Sequence, residues 1–464
     1  MIDTRKIAAL YFIGIGGIGM SALARYFLAG GLTIFGYDRS ESSITRALTG
    51  EGCSITYEDA VDSLPPVFTD PAMKDKVIVI YTPAIPDGNN IITFFRRNGY
   101  KLRKRAEILG ELSEEKDTLA VSGTHGKTTI STMIAHLLKQ SHVGCSAFLG
   151  GISKNYDSNL LIGESRFTVM EADEYDRSFH WLHPWMAVVT SVDADHLDIY
   201  GNHQNMIDAY NHFCSKIRNG GTLVINSKIR DKIVVRENIA GFTYGLSEEA
   251  EFRSFNIRRI ESGYSFHLKT PDKMIRNISL AIPGLINIEN TTAASAIALL
   301  CGVTEQELRK ALASFKGVER RFDIRMNYPG LVYIDDYAHH PEEIRACITN
   351  VKEYFGGRKI TGIFQPHLYS RTRDHAAGFA EILDLLDEVI LLPVYPAREA
   401  PIEGVSSDMI LDRMKLKNKK LLNMDDIPGK LDIENIDILL TIGAGDIDRL
   451  VAPIEEMLKQ MLQP

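Results

Sequence analysis

Residues 11–27 read YFIGIGGIGMSALARYF: an apolar run breaks into four glycines and then resumes with helical spacing. Such a stretch constrains the fold more than any composition does. The apolar run IAALYFIGI (7–15) reads as a strand buried on both faces, and the glycines turn the backbone into a helix that packs back on the sheet. The next strand, LTIFGYD (32–38), then lies parallel to the first. The pattern restarts twice. TLAVSGTHGKTT (118–129) is strand, loop and helix start, followed by strands in FTVMEADE (167–174) and MAVVTSVDADH (186–196). LVYIDDYAHHPEEI (331–344) opens a third series, continued by KITGIFQPH (359–367), EVILLPVYP (388–396) and DILLTIGAGDI (437–447). The expected fold class is therefore α/β, with three nucleotide-fold modules in series and seams near residues 107 and 319.

The first glycine loop, GIGGIG (14–19), fits G-x-G-x-x-G, and Asp38 closes the following strand. Its glycines let the backbone approach a diphosphate, and the helix N-terminus favours the negative charge. NAD and UDP-sugars satisfy that physics equally, and a ligand-free tight turn remains the bland alternative. The loop alone does not choose.

The second loop, SGTHGKTT (122–129), ends in Gly-Lys-Thr but carries Val121 where G-x-x-x-x-G-K-[ST] requires glycine. Gly123 closes a shortened turn instead. Backbone N–H groups there suit a phosphate, Lys127 its outer oxygens, and the Thr128 hydroxyl a magnesium ion. A capped helix with a solvated lysine is the plainer reading. Two downstream strand ends weigh against it: EADE brings Glu171, Asp173 and Glu174, and SVDADHLD brings Asp193, Asp195, His196 and Asp198. Carboxylates at the C-terminal edge of a parallel sheet suit Mg²⁺, whereas a histidine is an unusual addition for that ion.

The net charge of −8 gives no electrostatic reason to expect nucleic acid or an anionic membrane as partner. Five cysteines without a C-x-x-C pair argue against a zinc site or disulfide framework and fit a reducing compartment. The start, MIDTRKIAAL, lacks a signal-peptide layout, and Arg25 and seven glycines interrupt the apolar stretch from Leu10 to Tyr37. A cytoplasmic protein, monomeric or homodimeric and without membrane insertion, is the expectation.

GIGGIGM, SGTHGKTT, EADEYDRSF, VDADHLD, GVERRFD, DDYAHHPEEI, FQPHLYSRTRD, AREAPIEGV and GAGDI run in this order from residue 14 to residue 447. The series resembles that of the Mur ligase family, whose shortened phosphate loop accounts for Val121. The resemblance implies a Rossmann-like UDP-substrate domain (1–106), a central P-loop ATPase domain (107–319) and a Rossmann-like C-terminal amino-acid domain (320–464) that closes over the site. It implies ATP and Mg²⁺ as cofactors, and UDP-N-acetylmuramate and L-alanine as substrates, joined through an acyl phosphate in peptidoglycan precursor synthesis. Two rivals stand beside it: a murein tripeptide recycling ligase of the same group, and an NAD-dependent oxidoreductase. DADHLDIYG and AREAPIEGV favour alanine addition over the first, and no hydride-transfer acid and base supports the second.

Carried over residue by residue, the resemblance assigns the ATP site to Gly123, Thr124, His125, Gly126, Lys127, Thr128, Thr129, Asn287, Asn290, Arg321 and Asp336. Thr128, Glu171 and His196 would hold magnesium. Gly14, Gly16, Gly17, Gly19, Asp38, Arg105 and His125 would contact the UDP-sugar, and Tyr337, His339 and Arg371 the amino acid. Lys127, Glu171, His196, Arg321 and His339 form the catalytic set; His339 and Asp336 are candidate bases by position only. Two departures matter. Ile286 stands where the family has histidine in Pro-Gly-x-His-Asn, and Leu368 where it often has arginine in Gln-Pro-His-Arg-Tyr. Arg371 and Arg373 remain available for the amino-acid carboxylate.

Overall fold

The computed structural model describes residues 4–462 apart from Asp87, Asp195, His196, Ser262 and Arg398. It divides into two compact units, residues 1–282 with 287–316, and residues 283–286 with 317–464.

The first unit holds two sheets. Strands β1 (Ala9–Ile13), β2 (Thr33–Tyr37), β3 (Ser54–Thr56), β4 (Val77–Tyr81) and β5 (Leu102–Lys104) lie in the order 3-2-1-4-5, all parallel. That is the order of a doubly wound sheet whose switch point lies beside β1. The glycine loop leaves the C-terminal end of β1 and opens the helix Ile18–Ala29. Every side chain of β1 is buried, Leu10 and Phe12 in one core and Ala9, Tyr11 and Ile13 in another. This explains why the strand reads as an unbroken apolar run.

The second sheet has ten strands: β6 (Asp117–Ser122), β7 (Ser146–Ser153), β8 (Ser158–Leu161), β9 (Phe167–Glu171), β10 (Met186–Val189), β11 (Thr222–Asn226), β12 (Ala240–Gly245), β13 (Phe252–Ile260), β14 (Gly263–Lys269) and β15 (Met274–Leu280). Their order is 15-14-13-12-11-10-6-9-7-8. From β13 to β7 the neighbours are parallel; β13–β14–β15 and β7–β8 are antiparallel. The phosphate loop, EADE and SVDADHLD leave three neighbouring strands, β6, β9 and β10, at one edge. The two sheets share a core: Leu10, Phe12 and Ile80 belong to the same cluster as Ala120, Phe148 and Phe213. The seam expected near residue 107 falls inside the helix Arg105–Glu115, whose Ile108 and Leu109 also join that core.

The second unit carries β16 (Asp323–Tyr328), β17 (Leu331–Asp336), β18 (Ile360–Phe364), β19 (Glu388–Leu391), β20 (Lys419–Leu421) and β21 (Ile438–Ile442), ordered 16-17-21-18-19-20. Only β16 runs antiparallel. Val332 and Ile334 face one core and Leu331 and Tyr333 the other, so helices cover both faces. Among the described residues no helix is long and apolar enough to cross a membrane.

Candidate active site

The loop after β6 works because of two glycines. Gly123 has φ +131, and a β-carbon there would overlap the Thr190 hydroxyl and press on the backbone of Thr190 and Ser191. Gly126, at φ +80, begins the helix Lys127–Lys139. The turn is then pinned from the neighbouring strand end. Thr124 N–H donates to the Ser191 carbonyl at 3.2 Å, His125 N–H to Ser191 Oγ at 3.1 Å, and Thr190 Oγ1 to the His125 carbonyl. Sequence reasoning missed Thr190 and Ser191, since neither side chain carries chemistry of its own.

Lys127 and Thr128 open the helix and meet the carboxylates of EADE. Lys127 Nζ donates to Glu174 Oε1 at 2.8 Å and to the Gly123 carbonyl at 2.7 Å. Burial pulls the Lys127 ammonium down, but Glu174, Glu171 and Asp173 outweigh it and hold its pKa above the ordinary value. Burial pushes Glu174 up to about 7 against the opposing pull of Lys127. Thr128 Oγ1 donates to Glu171 Oε1 at 3.2 Å. Glu171 fits only because residue 150 is glycine: a β-carbon there would overlap its carboxylate.

These oxygen donors, one hydroxyl and one carboxylate beside a phosphate loop, suit Mg²⁺, which takes few protein oxygens and completes its shell with phosphate and water. His196 and Asp195 lie outside the described residues. Among the described residues no cluster of three or more His, Cys, Asp or Glu forms a metal site. Asn287 and Asn290 are both buried, with Asn290 Nδ2 donating to Asn287 Oδ1 at 3.3 Å, and a β-carbon on Gly126 would sit 2.9 Å from Asn290 Oδ1. Thr129 is the third residue of the phosphate-loop helix.

The first glycine loop is joined to this centre by Arg105. Its guanidinium fills the space a β-carbon on Gly19 would need and reaches Asp173 at 3.3 Å. His125 Nε2 stands 3.6 Å from Asp193. Asp38 spends its carboxylate on the loop itself: Oδ2 accepts from Gly16 N–H at 2.7 Å and Oδ1 from Arg39 N–H at 2.8 Å. Burial raises its pKa against those bonds. Gly14 takes φ +84, while Gly17 caps the helix from extended backbone.

In the second unit the predicted residues also gather. Asp336, at the end of β17, accepts from Phe322 N–H at 2.7 Å and Ala338 N–H at 2.8 Å. Burial raises its pKa and Arg321 opposes. The Arg321 and Arg320 guanidinium groups lie over the Tyr337 ring at 4.9 and 5.0 Å. His339 Nδ1 bonds the Tyr337 carbonyl at 3.0 Å, and its ring lies 5.4 Å from Tyr337 and 5.8 Å from His367. Burial lowers the His339 pKa, with Arg371 and Arg321 adding to it against Glu343. Arg371 Nη1 is 3.3 Å from His367 Nδ1, and His367 stacks on Tyr395 at 5.7 Å. His367 was legible only as a member of FQPHLYSRTRD, and Tyr395 only as part of the strand candidate EVILLPVYP. Leu368 is buried with φ +71 and leads into the helix Tyr369–Leu383 that carries Arg371.

Comparison with known proteins accords with this geometry. The family described as Mur ligase family, catalytic domain, matches residues 9–117; the Mur ligase middle domain matches 121–298; and the Mur ligase, glutamate ligase domain, matches 320–445. The UDP-N-acetylmuramate–L-alanine ligase of Parabacteroides distasonis is 49% identical over the whole of both chains. That of Porphyromonas gingivalis is 48% identical over 97% of this chain and 99% of its own. Among solved structures, the UDP-N-acetylmuramate–alanine ligase of Thermotoga maritima superposes with a TM-score of 0.82 at 28% identity, covering 98% of this chain and 99% of its own. A murein peptide ligase from Psychrobacter arcticus shares the fold, with a TM-score of 0.74 at 20% identity over 98% and 100% of the two chains. By loop, carboxylates and full-length likeness, the chain belongs to the Mur ligase family.

Proposed function

We propose that this chain is an ATP-dependent amide ligase that joins L-alanine to UDP-N-acetylmuramate, releasing ADP and phosphate. The observation that carries the substrate choice is the 49% identity, over the whole of both chains, to a relative bearing that name. In this reading substrate, nucleotide and amino-acid domains take 1–106, 107–319 and 320–464, and three matched segments in that order support such a division of labour.

The chemistry starts from a difficulty. A carboxylate resists attack by an amine, so it must first be activated. A lactoyl carboxylate oxygen attacks the γ-phosphorus of ATP, the bond to the β-phosphate oxygen breaks, and ADP leaves. Both reactants are anions, and the protein's part is to neutralise and orient them. Lys127 supplies the positive charge where the loop passes into the helix Lys127–Lys139, whose N-terminus suits the phosphates. Thr128, Glu171 and His196 would hold Mg²⁺, which supplies charge neutralisation on the phosphate oxygens. Arg105, held by Asp173 against Gly19 of the first glycine loop, suits the sugar nucleotide. The alanine nitrogen then attacks the acyl carbon, loses a proton, and phosphate departs. Arg371, Tyr337 and His339 form the polar cluster that suits the amino acid. Arg321 and Asp336 are assigned to the nucleotide.

An assay of ADP release with UDP-N-acetylmuramate and ATP, comparing L-alanine, glycine, L-serine and L-alanyl-γ-D-glutamyl-meso-diaminopimelate, tests the reading. Release with free L-alanine is expected. Release with the tripeptide alone would reassign the chain to peptide recycling. Lys127→Ala should cost about 10²–10³ in rate, the scale of one lost electrostatic stabiliser. It should leave UDP-N-acetylmuramate binding intact.

A further inference from the structure

Lys127 has no free donor. An ammonium carries three N–H groups, and Lys127 Nζ directs them at Glu174 Oε1 (2.8 Å), the Gly123 carbonyl (2.7 Å) and the Thr124 carbonyl (3.4 Å). A phosphate oxygen therefore cannot simply be added to this lysine; it must replace a partner. Two of the three partners are backbone of the loop itself, fixed by Thr190 and Ser191. The third is a side chain with rotatable bonds.

Glu174 is poorly rewarded where it sits. It is 2% exposed, and among the described residues its second oxygen, Oε2, is buried without a hydrogen-bond partner. Lys127 is the main group offsetting the desolvation of the Glu174 charge, with the backbone N–H of Glu174 itself adding to it. Its backbone is held in place, with the carbonyl accepting from Tyr200 Oη at 2.6 Å and from Arg177 N–H at 3.0 Å. Any release of Lys127 is therefore a side-chain rotation rather than a loop movement. Glu171 and Asp173 add two more carboxylates around the same ammonium, so an arriving phosphate meets a site already rich in negative charge.

We propose that Glu174 occupies, in the nucleotide-free protein, the position on Lys127 that a nucleotide phosphate takes, and that nucleotide binds by displacing it. Glu174 is then a positioning residue: it keeps a buried lysine paired while the site waits, and it competes with the ligand for that lysine. The inference rests on the nucleotide-binding reading of this loop, not on the identity of the amino acid.

Competition has a signature that a merely structural contact lacks. Removing the charge while keeping the side-chain shape, Glu174→Gln, should tighten nucleotide binding by roughly tenfold, the scale of one partly screened charge contact. It should also slow product release, so that the KM for ATP and kcat both fall. A structural role predicts the opposite, a higher KM as Lys127 loses its support. The direct test is calorimetric titration of the full chain with ADP and magnesium, wild type against Glu174→Gln, with circular dichroism confirming that both are folded. If the glutamine variant does not fold, Glu174→Asp, which withdraws the carboxylate by one methylene, replaces it with the same expected direction. Unchanged or weaker binding in a folded variant overturns the proposal. A wild-type protein that binds no ADP overturns it together with the nucleotide site. A wild type that binds ADP more weakly than the variant, yet never ligates alanine, upholds the proposal while removing the substrate assignment.

Discussion

A glycine at position 150 is what lets Glu171 stand beside Thr128, because any β-carbon there would overlap the carboxylate. Gly150→Ala should displace Glu171 without touching the nucleotide loop. We expect ligase activity at saturating ATP to fall about 10- to 100-fold, the usual cost of disturbing a metal ligand's support. The magnesium concentration for half-maximal rate should rise, and the thermal midpoint should change little. A magnesium titration of rate for the variant checks this. The same scale shows what the sequence hides. Lys127, Thr128 and Glu171 could be singled out by residue type at a recognisable spacing, and the folded chain brings Thr128 and Glu171 into contact. Gly150, Thr190 and Ser191 could not be, because each acts only through the space or hydrogen bond it gives a neighbour brought close by the sheet.

Among the elements, parallel strands were the easiest to read. β1 and β4 are continuous apolar runs, and β17 and β21 open with one, because helices bury both faces. The antiparallel stretch β13–β15 was missed: its exposure alternates and its pairing is interrupted between Phe255 and Arg258 and between Phe266 and Leu268. Asn256 and Asn277, at φ +51 and +55, sit at those irregularities, which blur the period of two. The phosphate-loop helix Lys127–Lys139 carries a further hidden feature. His136 is 1% exposed and bonds the Ala311 carbonyl at 3.0 Å and Tyr156 Oη at 2.9 Å. Burial lowers its pKa to about 4, the Ala311 contact opposing. The folded protein thus holds His136 neutral while the unfolded chain takes a proton near pH 6.5. Its stabilising contribution is complete above that pH and is lost as pH falls towards 4. Unfolding free energy should therefore drop between pH 7 and pH 5.5, with His136 responsible for about 1 kcal/mol of the drop. Urea unfolding at the two pH values should show that share missing in His136→Asn, whatever the variant's absolute stability.

For the whole molecule, two sheets in one unit and a third in another predict how the chain unfolds. Asn159, fully buried on β8, donates to the Ile18 carbonyl (2.5 Å) and Ser21 Oγ (2.9 Å) of the first glycine-loop helix and accepts from Arg25. It ties the first sheet's helix to the second sheet. Calorimetry should resolve two transitions. Asn159→Ala should lower only the one belonging to residues 1–282 and 287–316, by about 1–3 kcal/mol for the groups left unsatisfied. A single transition, shifted as a whole, would mean that the two units unfold as one. Three modules were legible from one start and two restarts of strand, loop and helix. That the first two share a core was not, since Phe148 and Leu10 are distant in sequence and only the folded chain joins them.

The central claim is that one anion is phosphorylated by another in the pocket of Lys127. UDP-N-acetylmuramate labelled with ¹⁸O in its lactoyl carboxylate, turned over with ATP and L-alanine, reads this out in the inorganic phosphate released. The account predicts one labelled oxygen in each phosphate, carried over from the carboxylate when the amine displaces it. Product formed with unlabelled phosphate would contradict it.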